Sequence, residues 1–145
     1  MTDTVNSVQS LSPNSITKLY GVHPKLVNLM QEAIKNSPYM FIISQGVRTA
    51  EYQNALYQQG RTTIHGKIVT NADGYKVKSN HQIKSDGLGH AVDIAIMDGK
   101  KVDWDDLTKY KAVGEHICKI ALEMGISISW GGRWKRKDYP HFELS

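Results

Sequence analysis

The stretch from His90 to Ile96 constrains the fold of this chain more than any other. Its residues alternate at the period of a strand, so Val92, Ile94 and Ile96 share one face and Ala91, Asp93 and Ala95 the other. The branched apolar face has to be buried against a core. The opposite face carries a carboxylate between two alanines. The pattern predicts a strand that presents Asp93, on rigid backbone, to a space the alanines keep open.

Helical periodicities supply the cover for the apolar face. His23 to Asn36 reads as a helix, with Pro24 in its first turn and Leu26, Val27, Met30, Ala33 and Ile34 at helical spacing. Ser37-Pro38 ends it. Asp105 to Met124 reads as a longer helix with a stripe of Leu107, Tyr110, Val113, Ile117, Ala121 and Met124, closed by Gly125. Thr49 caps a third, whose inner face is expected to be Tyr52, Ala55 and Leu56 and whose end is Gly60. Short strands are expected at Tyr39–Ser44, Ile126–Trp130 and His141–Leu144, with a turn at Asp98-Gly99. Helices and short strands without regular βαβ repetition predict one α+β domain over residues 1–145, with a small antiparallel sheet flanked by helices. Residues 1–10 are expected to be loose. Residues 61–89 form a polar connection too long to be a mere linker in a compact domain.

The rest of the composition excludes several classes. A single cysteine, Cys118, rules out an internal disulfide framework and a cysteine-based zinc knuckle. Its place between Ile117 and Ile120 makes it a buried structural thiol. The first residues lack the basic and apolar regions of a secretory signal, and no apolar run approaches the ~20 residues a membrane span needs. Synthesis and folding in the cytoplasm, no stable membrane insertion and a monomeric state are the expectations. The net charge of +4 and an isoelectric point near 9.1 suit a polyanionic partner such as a cell wall. Arg133, Lys135, Arg136 and Lys137 cluster without the aromatics or motif of a nucleic-acid module, so they read as a solvated basic loop.

Six histidines are present, of which His23, His65 and His116 suggest no special role. Two segments stand apart. One is Ser79-Asn80-His81 followed by Gly89-His90-Ala91-Val92-Asp93; the other is Asp138-Tyr139-Pro140-His141-Phe142-Glu143. Together they offer two imidazoles and carboxylates, and three N/O ligands with a fourth position for water describe a catalytic zinc site. Spacing alone leaves another possibility open, in which Asp93 caps a turn and His141 packs near Trp130 or Trp134.

These segments resemble a known family. Ser79-x-His81 leading to Gly89-x-Ala91-x-Asp93 is similar to the Ser-x-His-x-x-Gly-x-Ala-x-Asp signature of VanY- and VanX-like zinc peptidases. Trp130-Gly131-Gly132 and Asp138-Tyr139-Pro140-His141-Phe142-Glu143-Leu144 resemble their C-terminal signature. Gln45-Gly46-Val47-Arg48-Thr49, with Gln53, Ala55, Leu56, Tyr57 and Gly60-Arg61-Thr62, resembles their substrate-side segment. The likeness is greatest to phage endolysins that are L-alanyl-D-glutamate peptidases, and it runs from about residue 21 onward. It implies a Hedgehog-like, DD-peptidase-like fold. It also implies one zinc ion held by His81, Asp93 and His141, with Asp138 as general base. Arg48 is then the positive group for an oxyanion or a substrate carboxylate, Ser79 a substrate-binding or His81-orienting residue, and Glu143 a partner of a ligand. The family pattern places its histidine seven residues before the aspartate, whereas His81 and Asp93 are twelve apart. A five-residue insertion within Gln82 to Gly87 accounts for the difference and is expected to form an exposed loop beside the metal. His90 is the rival ligand.

The resemblance implies hydrolysis of the L-Ala–D-Glu bond in peptidoglycan stem peptides. As in phage lysis, the protein would act on the wall after release from the host cytoplasm through a separate pore. A D-Ala-D-Ala dipeptidase or carboxypeptidase would share the metal site, and a non-catalytic wall-binding domain would share the scaffold. The acidic turns at Asp73-Gly74, Asp86-Gly87 and Asp98-Gly99 do not match a calcium loop.

Overall fold

A computed structural model describes residues 9–62 and 66–145, so the expectations for residues 1–8 and for His65 lie outside it. Its centre is β2, Ala91–Asp98, the strand read from the alternation. β2 pairs antiparallel with β1, Phe41–Gln45, on one side. On its other side it pairs antiparallel with β5, His141–Leu144, and with the short β3, Lys101–Asp103. β4, Ile128–Trp130, completes the sheet beyond β5, giving the order β1-β2-β5-β4. The helices are α1, Pro13–Lys18; α2, Pro24–Ala33, extended by a turn of 3-10 helix; α3, Ala50–Gln58; and α4, Leu107–Met124. This is the expected α+β architecture with a small antiparallel sheet.

Val92, Ile94 and Ile96 are fully buried, together with Leu26, Leu29 and Met30 of α2 and Tyr110, Val113 and Ile117 of α4. Each such side chain contributes about 1.5–3 kcal/mol through burial. The polar groups inside this core are matched. The Tyr110 hydroxyl accepts from the Ile96 amide (3.1 Å) and donates to the Asp103 carbonyl (2.8 Å), tying α4 to the β2–β3 hairpin. The buried Ser15 hydroxyl accepts from the Ile43 amide (3.0 Å), which docks α1 on β1. Neither α1 nor β3 is legible in the sequence, because one turn and a half of helix and three residues of strand are too short to show a period.

Three expectations need correction. The inner face of α3 is Gln53, which is fully buried, while Tyr52 and Ala55 are exposed and Leu56 is half-buried. That helix packs through a polar side chain, so an apolar stripe is the wrong template for it. The alanine face of β2 is covered, since Ala91 and Ala95 are both fully buried and only Asp93 is open. The segment Gln82 to Gly87 is exposed from Ile83 onward, but none of its residues lines the cleft described below, and Gln82 meets the site only through its backbone bridge to Arg48 and its bond to the Ser79 amide. Gln82 is buried, accepting from the Ser79 amide (2.9 Å) and donating to the Gly74 carbonyl (2.9 Å). The rest turns back on itself, with Lys84 and Leu88 joined through the backbone and Ile83 bridged to Gly89.

Trp130 joins the core to the loop that follows it. Its ring stacks on Phe142 with centroids 6.1 Å apart, and its Nε1 donates to the Tyr139 carbonyl (2.8 Å). A Cβ at Gly114 would stand 2.0 Å from the indole, and one at Gly132 2.3 Å from it. The Gly114→Ala substitution sets a gain in helix propensity of up to about 1 kcal/mol against this overlap with a buried ring. The overlap wins, because backbone or indole has to shift. Gly114→Ala is expected to lower stability by about 1–3 kcal/mol, measured as a lower urea midpoint at unchanged slope. An unchanged midpoint would mean the indole has room to move.

Candidate metal centre

The register of the sheet assembles the site. Asp93 lies directly opposite Gln45 of β1 and directly opposite His141 of β5. Directly opposed residues of an antiparallel pair point to the same face, so the Asp93 carboxylate and the His141 ring meet. His141 Nδ1 is 3.0 Å from Asp93 Oδ1. Glu143, two residues on, shares that face, and its Oε1 is 2.7 Å from His141 Nε2. The other Glu143 oxygen accepts from Asn80 Nδ2 (2.7 Å).

His81 comes from the long connection and is almost wholly buried. Its Nδ1 donates to the Gly46 carbonyl (2.8 Å), and its backbone carbonyl accepts from the Arg48 amide (2.9 Å). Its Nε2 is 3.2 Å from Asp93 Oδ1 and 3.2 Å from His141 Nδ1. The Ser79 hydroxyl accepts from the His81 amide (3.2 Å), holding the backbone that carries the ring.

The tautomers follow from these partners. His81 Nδ1 has the Gly46 carbonyl as its partner, which can only accept, and His141 Nε2 has the Glu143 carboxylate, so these two nitrogens are the donors when each ring is neutral. In the neutral rings the other nitrogens present lone pairs, and Asp93 Oδ1 presents a third; with an added proton either ring donates to Asp93 instead. Three acceptors within 3.0–3.2 Å of one another repel unless a cation lies among them. These three residues are the group of metal-ligating side chains that could hold an ion among the described residues. An extra proton on His141 is the competing occupant. Burial works against it, but the hydrogen bonds to Asp93 and Glu143 prevail and push the His141 pKa up to about 9. Burial likewise opposes ionisation of Asp93, yet the hydrogen bonds from His141 and His81 hold its carboxyl well below the usual range.

Arg48 occupies the far side of Asp93. Its Nη2 contacts Asp93 Oδ2 (3.1 Å), leaving Oδ1 to the histidines. Its Nη1 donates to Gln53 Oε1 (3.1 Å), and its Nε donates to Gln45. Gln53 in turn donates to the Ala72 carbonyl (3.0 Å) and the Thr70 hydroxyl (3.3 Å), so the buried amide ties Arg48 to the wall of the cleft.

Asp138 is brought in by the loop between β4 and β5. Its amide donates to the Gly131 carbonyl (2.9 Å), and its carbonyl accepts from the His141 amide (3.2 Å). A Cβ at Gly131 would stand 2.2 Å from the Asp138 carbonyl oxygen, which accounts for the first glycine of Trp130-Gly131-Gly132; the second makes room for the indole. Burial raises the Asp138 pKa, the Asp93 charge adds to the rise, and His141, His81 and Arg48 oppose it.

Arg48, Ser79, His81, Asp93, Asp138 and His141 all line one cleft of about 760 Å³. The structure does not bring His90 there. Its Nε2 lies 2.6 Å from Asp86 Oδ2 and its ring meets His23 edge-on, so the rival is engaged elsewhere. Gln45 and Gln53, which the sequence placed only within a substrate-side segment, and Asn80, to which it gave no role, complete the site through Arg48 and Glu143.

A family model described as phage L-alanyl-D-glutamate peptidase matches residues 8–144. The chain belongs to this family. It is 33% identical over 132 residues to the peptidoglycan L-alanyl-D-glutamate endopeptidase CwlK of Bacillus subtilis, covering 87% of this chain and 73% of that protein. It is 30% identical over 131 residues to the L-alanyl-D-glutamate peptidase of Escherichia phage T5, covering 90% and 85% respectively. The crystal structure of the Serratia marcescens L-Ala D-Glu endopeptidase ChiX matches with a TM-score of 0.73 and 28% identity, over 99% of this chain and 94% of that one. Membership in the L-alanyl-D-glutamate peptidase family makes this chain an enzyme.

Glu143 fixes the His141 tautomer, and losing such a partner typically costs 10–100-fold in metal affinity. Glu143→Ala is expected to weaken divalent-cation binding by roughly that factor, read by competition with a chromophoric chelator. Wild-type affinity in this variant would remove Glu143 from the site.

Proposed function

We propose that this chain is a zinc-dependent endopeptidase that hydrolyses the L-Ala–D-Glu bond of peptidoglycan stem peptides, with one zinc held by His81, Asp93 and His141. The convergence of three lone pairs beside Asp138, in a chain of this family, carries the reading. Two imidazoles and one carboxylate are the donor set of a catalytic zinc site with an open position. Zinc bound there supplies Lewis acidity, which makes water nucleophilic near neutral pH.

The chain's own residues do the rest. His81 and His141 stay in fixed tautomers through Gly46 and Glu143. Arg48 binds the Asp93 oxygen that faces away from the histidines, and from the same cleft wall its charge favours an oxyanion or a substrate carboxylate. Asp138 takes the proton of the attacking water and passes it to the amine of D-Glu as the peptide bond breaks. Its side chain is exposed to the cleft, and the basicity raised there by partial desolvation and the Asp93 charge suits that role. Ser79 steadies His81 from the cleft wall and is placed to meet substrate.

No helix among the described residues is long and apolar enough to cross a membrane. By its likeness to a phage peptidase, the proposal includes action as a monomer on the wall, reached through a separate pore.

Digestion of purified sacculi is expected to expose new amino-terminal D-Glu and to stop with chelator. Release of D-Ala instead would indicate a carboxypeptidase or dipeptidase. Asp138→Asn is expected to keep zinc and fold while losing about 10²–10⁴-fold in turnover. A base works only when ionised, so wild-type activity falls as pH drops through the raised Asp138 pKa, and the variant lacks that acidic limb. Full activity in Asp138→Asn would exclude it as the base, and loss of zinc would make it a ligand.

A further inference from the structure

The basic residues of the loop after β4 read, in the sequence, as a solvated surface. The fold gives two of them another setting. Arg136 and Lys137, next to Asp138, line the cleft, and Lys78 lines it from the long connection. All three are exposed. None of them is paired with an acidic side chain among the described residues, whereas Arg48, in the same cleft, is paired with Asp93. Among the described residues Arg136 makes a hydrogen bond from Nη2 to the Ile68 carbonyl (3.4 Å), which spans the two segments.

Resting on the activity proposed above, the substrate's chemistry supplies the missing partner. A glutamate in a peptide uses one carboxyl for the next bond and leaves the other free. The D-Glu whose amine is the leaving group therefore carries a carboxylate only a few bonds from the bond that breaks. Asp138 must reach that amine, which brings the free carboxylate to the part of the cleft where Arg136 and Lys137 adjoin Asp138. We propose that Lys78, Arg136 and Lys137 form a carboxylate-reading subsite, so that the enzyme selects stems whose D-Glu is a free acid over stems in which it is amidated. Unpaired cations at the rim of a cleft attract an anion without first breaking an ion pair, and arginine can grip a carboxylate with two parallel bonds.

The test compares two peptides, acetyl-L-Ala-D-Glu-L-Lys-D-Ala linked through the D-Glu side-chain carboxyl and the same peptide with the remaining carboxylate as the amide. The wild-type chain loaded with zinc is expected to favour the acid by about tenfold or more in kcat/KM, with the advantage shrinking as salt is added. In the triple variant Lys78→Gln, Arg136→Gln, Lys137→Gln the ratio is expected to fall toward one, through loss on the acid peptide. Absence of a wild-type preference, or survival of the preference in the triple variant, would overturn the subsite while leaving the activity standing. Cleavage of neither peptide by the wild-type chain would overturn the activity itself, and the subsite with it.

Discussion

The pairing of β2 with β5 is the constraint on which the site depends. Asp93 and His141 meet because they are directly opposed across two antiparallel strands. A slip of one residue would turn every side chain of β5 to the other face, sending His141 and Glu143 into the core and Phe142 out of it. The register is held by burial, since Phe142 lies opposite Val92 on one side and Trp130 on the other, and all three are buried. The same packing that makes the core therefore fixes the relative position of two candidate metal ligands.

Around that pair the fold places each remaining group through a polar bond to something already rigid. His81 hangs from the Gly46 carbonyl just past β1, and Arg48 holds the second oxygen of Asp93 while Gln53 holds Arg48. Trp130, seated between Gly114 and Gly132, positions the start of the loop that carries Asp138. Such support keeps ligands in place before a cation or substrate arrives, which is what a catalytic constellation needs to act without reorganising. The cost is charge crowding. Asp93, Asp138 and Glu143 share a partly buried cleft, and beyond the rim cations Lys78, Arg136 and Lys137 it falls to the histidines, Arg48 and a bound cation to balance them.

Much of this was legible in the sequence because strand alternation and local motifs report on local geometry. The period of His90 to Ile96 identified the central strand and its partly open carboxylate, and the stripe of α4 identified its packing face from Tyr110 to Ala121, though Leu107 and Met124 at its ends are exposed. The candidate metal-ligating trio came from two short segments and the family they resemble. What was missed depends on contacts between distant segments. Gln53 is polar and buried because Arg48, Thr70 and Ala72 surround it, and none of these is near it in helical phase. Asn80 matters through Glu143, sixty-three positions away. The direction of the Gln82 to Gly87 segment was misjudged for the same reason. Its neighbourhood in sequence to His81 says nothing about which side of the backbone it leaves from, and Asp86 pairs with His90, neither of which lines the cleft.

The central claim is that a divalent ion is held by two imidazoles and one carboxylate, with a position left for chemistry. X-ray absorption spectroscopy of the zinc-loaded protein tests it most directly. The account predicts only nitrogen and oxygen neighbours at about 2.0–2.2 Å, a coordination number of four to five and the outer-shell scattering of two imidazoles. A third imidazole, a sulfur neighbour or six oxygens around the ion would contradict it.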